Sequence, residues 1–148
     1  MATIFFDTSA LVRRYDWTEP GARSVRAACS PESGNAVIVA ELATVELASA
    51  FSRKVREGSF SAQTVERLWH LFKAHWQEEY QVILLTVAIC NRAEQLLFDY
   101  PLRAYDAVQI GTALSAAERA TSGPEFWTAD RRQAQVAAAE GLTVQLVG

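Results

Sequence analysis

The chain has 148 residues, 50% of them apolar and 21% charged, with a formal net charge of −3. That length suits one domain, predicted over residues 1–148, and no repeat, low-complexity tract or Gly/Pro/Ser-rich linker divides it. The slight acidity excludes a domain that holds nucleic acid chiefly through a broad basic surface, but not an enzyme whose bound divalent cations reverse the local sign.

The N-terminal run MATIFFDTSA has no basic leader and carries an acid at Asp7, so neither a secretory signal nor a transit peptide fits and a cytoplasmic protein is expected. Residues 3–6, TIFF, read as a short strand that stops at Asp-Thr-Ser, a helix-capping sequence, with a helix from about Ser9. Residues 19–29 are helix-compatible, Pro31 to Asn35 is a turn cluster, and Ala36 to Val39 is a second buried strand. A long helix is predicted from Glu41 to about Arg56, ended by Gly58. Ser61 opens the next, where Val65, Leu68, Trp69, Phe72 and Trp76 recur at helical spacing and mark a core or dimer face.

Val82 to Leu85 is a third strand and Thr86 to Leu97 a helix, stopped by Pro101. The apolar stretch from Val82 to Cys90 is about half of the ~20 residues a membrane-spanning helix needs, so it reads as a core segment. Residues 104–120 form another helix, Phe126 to Thr128 a fourth strand, Asp130 opens a helix to Glu140, and Leu142 to Val147 closes as a fifth strand. Short apolar strands alternating with helices indicate a parallel α/β sandwich. Cys29 and Cys90 lack any metal-site spacing and read as buried free thiols. His70 and His75, about 140° apart around a helix of 3.6 residues per turn, cannot share a metal.

Four carboxylates carry the chemistry. Ligands of open α/β sheets bind beyond the carboxyl ends of strands, where Asp7 and Asp130 fall. Each has a second explanation, because an Asp at a helix start caps free N–H groups. Glu46 is expected in the interior of a helix reading ELATVELASAF, where the residues three and four away are Leu42, Ala43, Ser49 and Ala50 and none is a cation. A metal would balance such a carboxylate; exposure to solvent or a bond to a distant side chain is the competing explanation. Asp106 opens AYDAVQIGTALSAA with Arg103 as its only nearby cation, and dipole complementarity alone would account for it. Four acids without His or Cys partners suit a hard cation of the Mg²⁺ or Mn²⁺ type.

FFDTSALV, TVELASAFSR, LRAYDAVQIGTA and FWTADRRQ, in that order, resemble the PIN-domain family, most nearly the VapC-type toxins of bacterial toxin–antitoxin pairs. The resemblance runs from residue 4 to the final strand. It implies a three-layer α/β/α sandwich on a five-stranded parallel sheet of order 3-2-1-4-5, and a metal-dependent endoribonuclease with Asp7, Glu46, Asp106 and Asp130 as catalytic metal ligands. Ser9 and Thr128 would orient those ligands, and products would carry 5′-phosphate and 3′-hydroxyl ends. It further implies a homodimer, an RNA substrate and a small cognate antitoxin. Gly111, where relatives more often carry Ala, is a mild departure.

Arg13, Arg53 and Arg131, with Arg14, Lys54 and Arg132 beside them, stand near the acids in sequence and are candidates to hold the phosphate backbone. A receiver domain would need a late Lys after a strand, whereas the only lysines are Lys54 and Lys73. A haloacid-dehalogenase-type phosphatase would need an acid where Ser9 stands, and no glycine-rich phosphate loop follows the first strand. The competing reading is a non-catalytic PIN-like module that binds RNA or protein.

Overall fold

Five strands, β1 (Thr3–Phe6), β2 (Ala36–Ala40), β3 (Gln81–Ile83), β4 (Glu125–Thr128) and β5 (Thr143–Leu146), form one parallel sheet in the order β3-β2-β1-β4-β5. The computed structural model describes residues 1–148. β1 is central, pairing with β2 on one side and β4 on the other, so the chain reverses its direction of winding there.

Alternation along the buried strands divides the core. Ile4, Phe6, Val37 and Val39 face one layer with α1 (Thr8–Tyr15), α2 (Ala22–Ala28), α3 (Ala43–Arg56) and α4 (Ala62–Glu78). Phe5, Ile38, Ala40 and Phe126 face the other layer, with α5 (Val87–Asp99), α6 (Ala104–Arg119) and α7 (Arg131–Ala139). This is the expected three-layer sandwich with helices covering both faces. In α4 the aromatic stripe is core: Phe72 is fully buried, and the rings of Trp69 and Trp76 pack tilted against it. No helix is long and apolar enough to cross a membrane.

Several local expectations are corrected. The third strand ends at Ile83, and Leu84, Leu85 and Val87 are 62%, 43% and 77% exposed, so Val82 to Cys90 is not a continuous core segment. β2 stops at Ala40, which leaves nothing to pair beyond Ile83; the Glu41 carboxylate takes the Leu85 N–H and Thr86 caps α5. The same pairing delays α3: the Glu41 N–H donates to the Ile83 carbonyl, so the helix starts at Ala43 and Glu46 sits in its first turn, not its interior. Residues 19–21 lie outside α2, which Gly21 precedes in the left-handed region. Cys29 and Cys90 are half-buried. At Gly111 a Cβ would meet the Ile89 carbonyl at 3.4 Å, an ordinary contact, so alanine would fit against α5.

Candidate functional site

Asp7 follows β1 directly, and its backbone N–H still donates to the Trp127 carbonyl of β4. That bond fixes where the side chain emerges. The carboxylate then caps α1, accepting from the Ala10 N–H at 2.9 Å, from the Ser9 hydroxyl at 2.7 Å and from the Thr128 hydroxyl. Ser9 also accepts from the Ala129 N–H and Thr128 from the Asp130 N–H, so the two hydroxyls lock the ends of β1 and β4 together around Asp7. Asp7 is 1% exposed. Burial pushes its carboxyl up to about 6 despite three donors that pull it down, and the nearby Asp106 charge adds to the rise.

Asp130 caps α7 by accepting from the Gln133 N–H at 3.0 Å and is exposed. Capping thus holds for both Asp7 and Asp130, and it does not compete with a second role, because a carboxylate offers about four lone-pair sites. Asp106 lies in the first turn of α6 and Glu46 in the first turn of α3. Burial raises Asp106 first and the Asp130 charge second, against Arg103 and Arg132. Burial also raises Glu46, with hydrogen bonds from Gln109 and Thr8 opposing and the Asp106 charge adding.

All four acids, with Ser9, line a single cavity of about 470 Å³. Four elements distant in sequence bring them there: the β1–α1 junction, the start of α3, the start of α6 and the β4–α7 junction. No three of the chain's acids, histidines or cysteines stand close enough together, as the side chains lie, to enclose an ion. The donor set nevertheless suits a hard divalent cation. All donors are carboxylate oxygens, the Asp106 charge raises the proton affinity of Asp7 and Glu46 and the Asp130 charge that of Asp106, and Mg²⁺ is commonly bound through only one or two carboxylates with waters and substrate oxygens completing its shell.

The basic residues sort differently from the expectation. Arg53 lines the cavity, and so does Arg103 at the N-cap of α6. Neither forms an ion pair. Arg13 lines an adjoining groove that shares Ser9, Val12, Ala50 and Arg53 with the cavity, but its guanidinium is held by the Ser9 and Pro20 carbonyls and by Glu19. Arg131 is exposed and lies outside the cavity wall. Arg14 pairs with Glu79 and Tyr80, and Lys54 with Asp16 and Glu19. The sequence reading missed Gln109 and Gln133, two buried amides in the wall, and the exposed Tyr105 ring at its edge. Gln109 and Asp106 are three apart on one helix, a spacing that puts both on one face and was the available signal.

A family model of the PIN domain matches residues 4–139. The chain belongs to the PIN-domain family. No curated protein sequence is matched. Among solved structures, this PIN domain is similar to the VapBC2 complex of Rickettsia felis bound to a DNA fragment from its promoter, with TM-score 0.66, 10% identity and 99% of each chain covered. It is also similar to Mycobacterium tuberculosis VapC20, a toxin that cleaves the sarcin–ricin loop, with TM-score 0.65, 14% identity, and 95% and 96% covered. A toxin–antitoxin complex from Klebsiella pneumoniae gives TM-score 0.55 and 17% identity over 88% of each chain. At these identities the likeness speaks for a shared fold.

Proposed function

We propose that this PIN domain is a divalent-metal-dependent endoribonuclease in which Asp7, Glu46, Asp106 and Asp130 hold Mg²⁺ or Mn²⁺. The observation that carries the reading is the convergence of these four carboxylates, from four separated elements, on one cavity. Packing alone gives no reason to gather like charges that raise one another's proton affinity. A bound divalent cation would polarise a phosphodiester, lower the pKa of an attacking water and stabilise the leaving oxygen. Ser9 and Thr128 hold the Asp7 carboxylate in place through their hydroxyls, and Arg53 and Arg103, free of ion pairs, would receive the flanking phosphates.

The same reading makes the chain the toxin of a toxin–antitoxin pair, acting as a homodimer restrained by a small cognate antitoxin. Its support is the fold shared with the Rickettsia and Klebsiella complexes. One observation favours a non-catalytic binding module instead: the acids do not stand as a closed three-ligand set.

The test is cleavage of end-labelled RNA by wild type and Asp106→Asn in Mg²⁺, Mn²⁺ or EDTA, after denaturation and refolding to strip any bound inhibitor. Cleavage by wild type with metal alone, leaving 3′-hydroxyl ends, is the expected result. Cleavage that persists in EDTA, or 2′,3′-cyclic phosphate ends, would overturn the metal mechanism. A melting temperature unmoved by Mn²⁺, together with no cleavage, would favour the binding module, since a ligand that binds only the native state raises it.

A further inference from the structure

Gln109 stands on α6 three residues after Asp106, on the same face of the helix, and is 1% exposed. Its Nε2 donates twice, to the Glu46 carboxylate at 2.7 Å and to the Thr8 hydroxyl at 3.0 Å. One amide thereby ties α6 to α3 and α1 at the floor of the acid-lined cavity. Its Oε1 is the only buried side-chain nitrogen or oxygen in the protein without a hydrogen-bond partner.

That orphaned oxygen is a cost that the local packing does not require. α6 is buried along most of its length, with Ala107, Ile110, Ala113 and Leu114 among its buried residues, and an apolar residue of the same size at position 109 would bring no unpaired acceptor of its own, at the expense of the donor that Glu46 now has. Nor can the amide relieve the cost by turning over, because its oxygen would then face the Glu46 carboxylate. The amide is fixed in the one orientation that serves Glu46.

We propose that Gln109 is a positioning residue: by donating from Nε2 it holds the Glu46 carboxylate on the cavity wall, with lone pairs left over for a divalent cation, and the unpaired Oε1 is the consequence. Glu46 depends on side-chain donors where Asp7 and Asp130 have backbone ones. Asp7 is fixed by two hydroxyls and a backbone N–H, and Asp130 by the end of its own helix, whereas Glu46 has a longer side chain and no backbone donor among its hydrogen bonds.

The inference rests on the reading of the acids as metal ligands, and the experiment separates the two. MnCl₂ is titrated calorimetrically into metal-free wild type, Gln109→Met, Glu46→Gln and the double variant, and RNA cleavage is measured on the same preparations. Gln109→Met is expected to fold, to weaken Mn²⁺ about 10- to 100-fold and to lower kcat with KM for RNA unchanged, as for the loss of a hydrogen bond that orients a metal ligand. In the Glu46→Gln background the same substitution should add nothing, because Gln109 acts through Glu46. Should Gln109→Met not fold, Gln109→Leu takes its place in both backgrounds.

Unchanged Mn²⁺ binding and kcat in the single variant, or effects that add independently in the double variant, would overturn the role of Gln109 and leave the nuclease reading standing. Wild type that neither binds Mn²⁺ nor cleaves would overturn both.

Discussion

In metal-free protein Asp7 should make stability fall as pH rises, opposite to the usual behaviour of a native carboxylate. Its carboxyl is pushed from an ordinary 3.8 to about 6 by burial, so the folded state binds its proton more tightly than the unfolded chain does. The stabilisation is fully present below the unfolded value and is lost as pH rises through the folded one. With one pKa unit equivalent to about 1.4 kcal/mol, the full shift amounts to about 3 kcal/mol, of which about 2.4 kcal/mol is lost between pH 4 and pH 7. Asp7→Asn keeps the shape and can still accept from the Ser9 hydroxyl and the Ala10 N–H while its amide donates to Thr128, so that contribution to the slope should vanish. Glu46 and Asp106, raised in the same direction, leave a residual slope in the variant. Urea unfolding in EDTA, followed by tryptophan fluorescence at steps from pH 4 to 8, reads the difference. At a slope of about 2 kcal/mol per molar urea, wild type should lose about 1.2 M more in midpoint than the variant. Parallel curves for the two proteins, or a wild type that gains stability over this range, would refute the burial argument.

Two further outcomes follow from the charges around the site. Arg53→Ala and Arg103→Ala should each raise KM for RNA at unchanged kcat and flatten its dependence on log salt by about 0.7, while Arg131→Ala, outside the cavity, should do neither in the same steady-state assay. Lys54→Met should destabilise the fold at pH 7 by about 3 kcal/mol, because Asp16, 2% exposed, would keep its charge without its cation. Burial pushes Asp16 up, but hydrogen bonds from Lys54 and Thr18 outweigh it and hold the carboxyl below its ordinary value. The stability gained there is present above the unfolded value of 3.8 and lost as pH falls through the lower folded one, so the gap between the two proteins in urea unfolding should narrow as pH is lowered below 3.8.

Much of the fold was legible because its signals are local. TIFF and AVIVA can be read as buried parallel strands from their unbroken apolar character, and Asp7, Ser61, Thr86 and Asp130 as helix starts from side chains that cap N–H groups two or three residues on. The signals failed where a partner strand decides. Leu84 and Leu85 look like strand interior, yet β2 has already ended, and the pairing of Glu41 with Ile83 across the sheet, not a capping side chain in ELATVELASAF, sets where α3 begins. The four acids were legible one at a time through their motifs. The glutamines were not, since a lone Gln in a helix is ordinarily a solvated residue and only the enclosure of α6 turns Gln109 into a buried donor.

By itself, then, the sequence determined the alternation of strands and helices, the caps and which carboxylates to watch, while the order of the sheet came from the family resemblance its motifs carry. These depend on neighbours within a few residues, or on patterns the chain carries along its length. Only the tertiary structure decided that the four acids share one cavity, that Arg53 and Arg103 rather than Arg131 face it, and that Gln109 donates to Glu46. Each of those depends on the rotational phase of one helix against another, which the packing of both layers on the sheet fixes and no stretch of sequence contains.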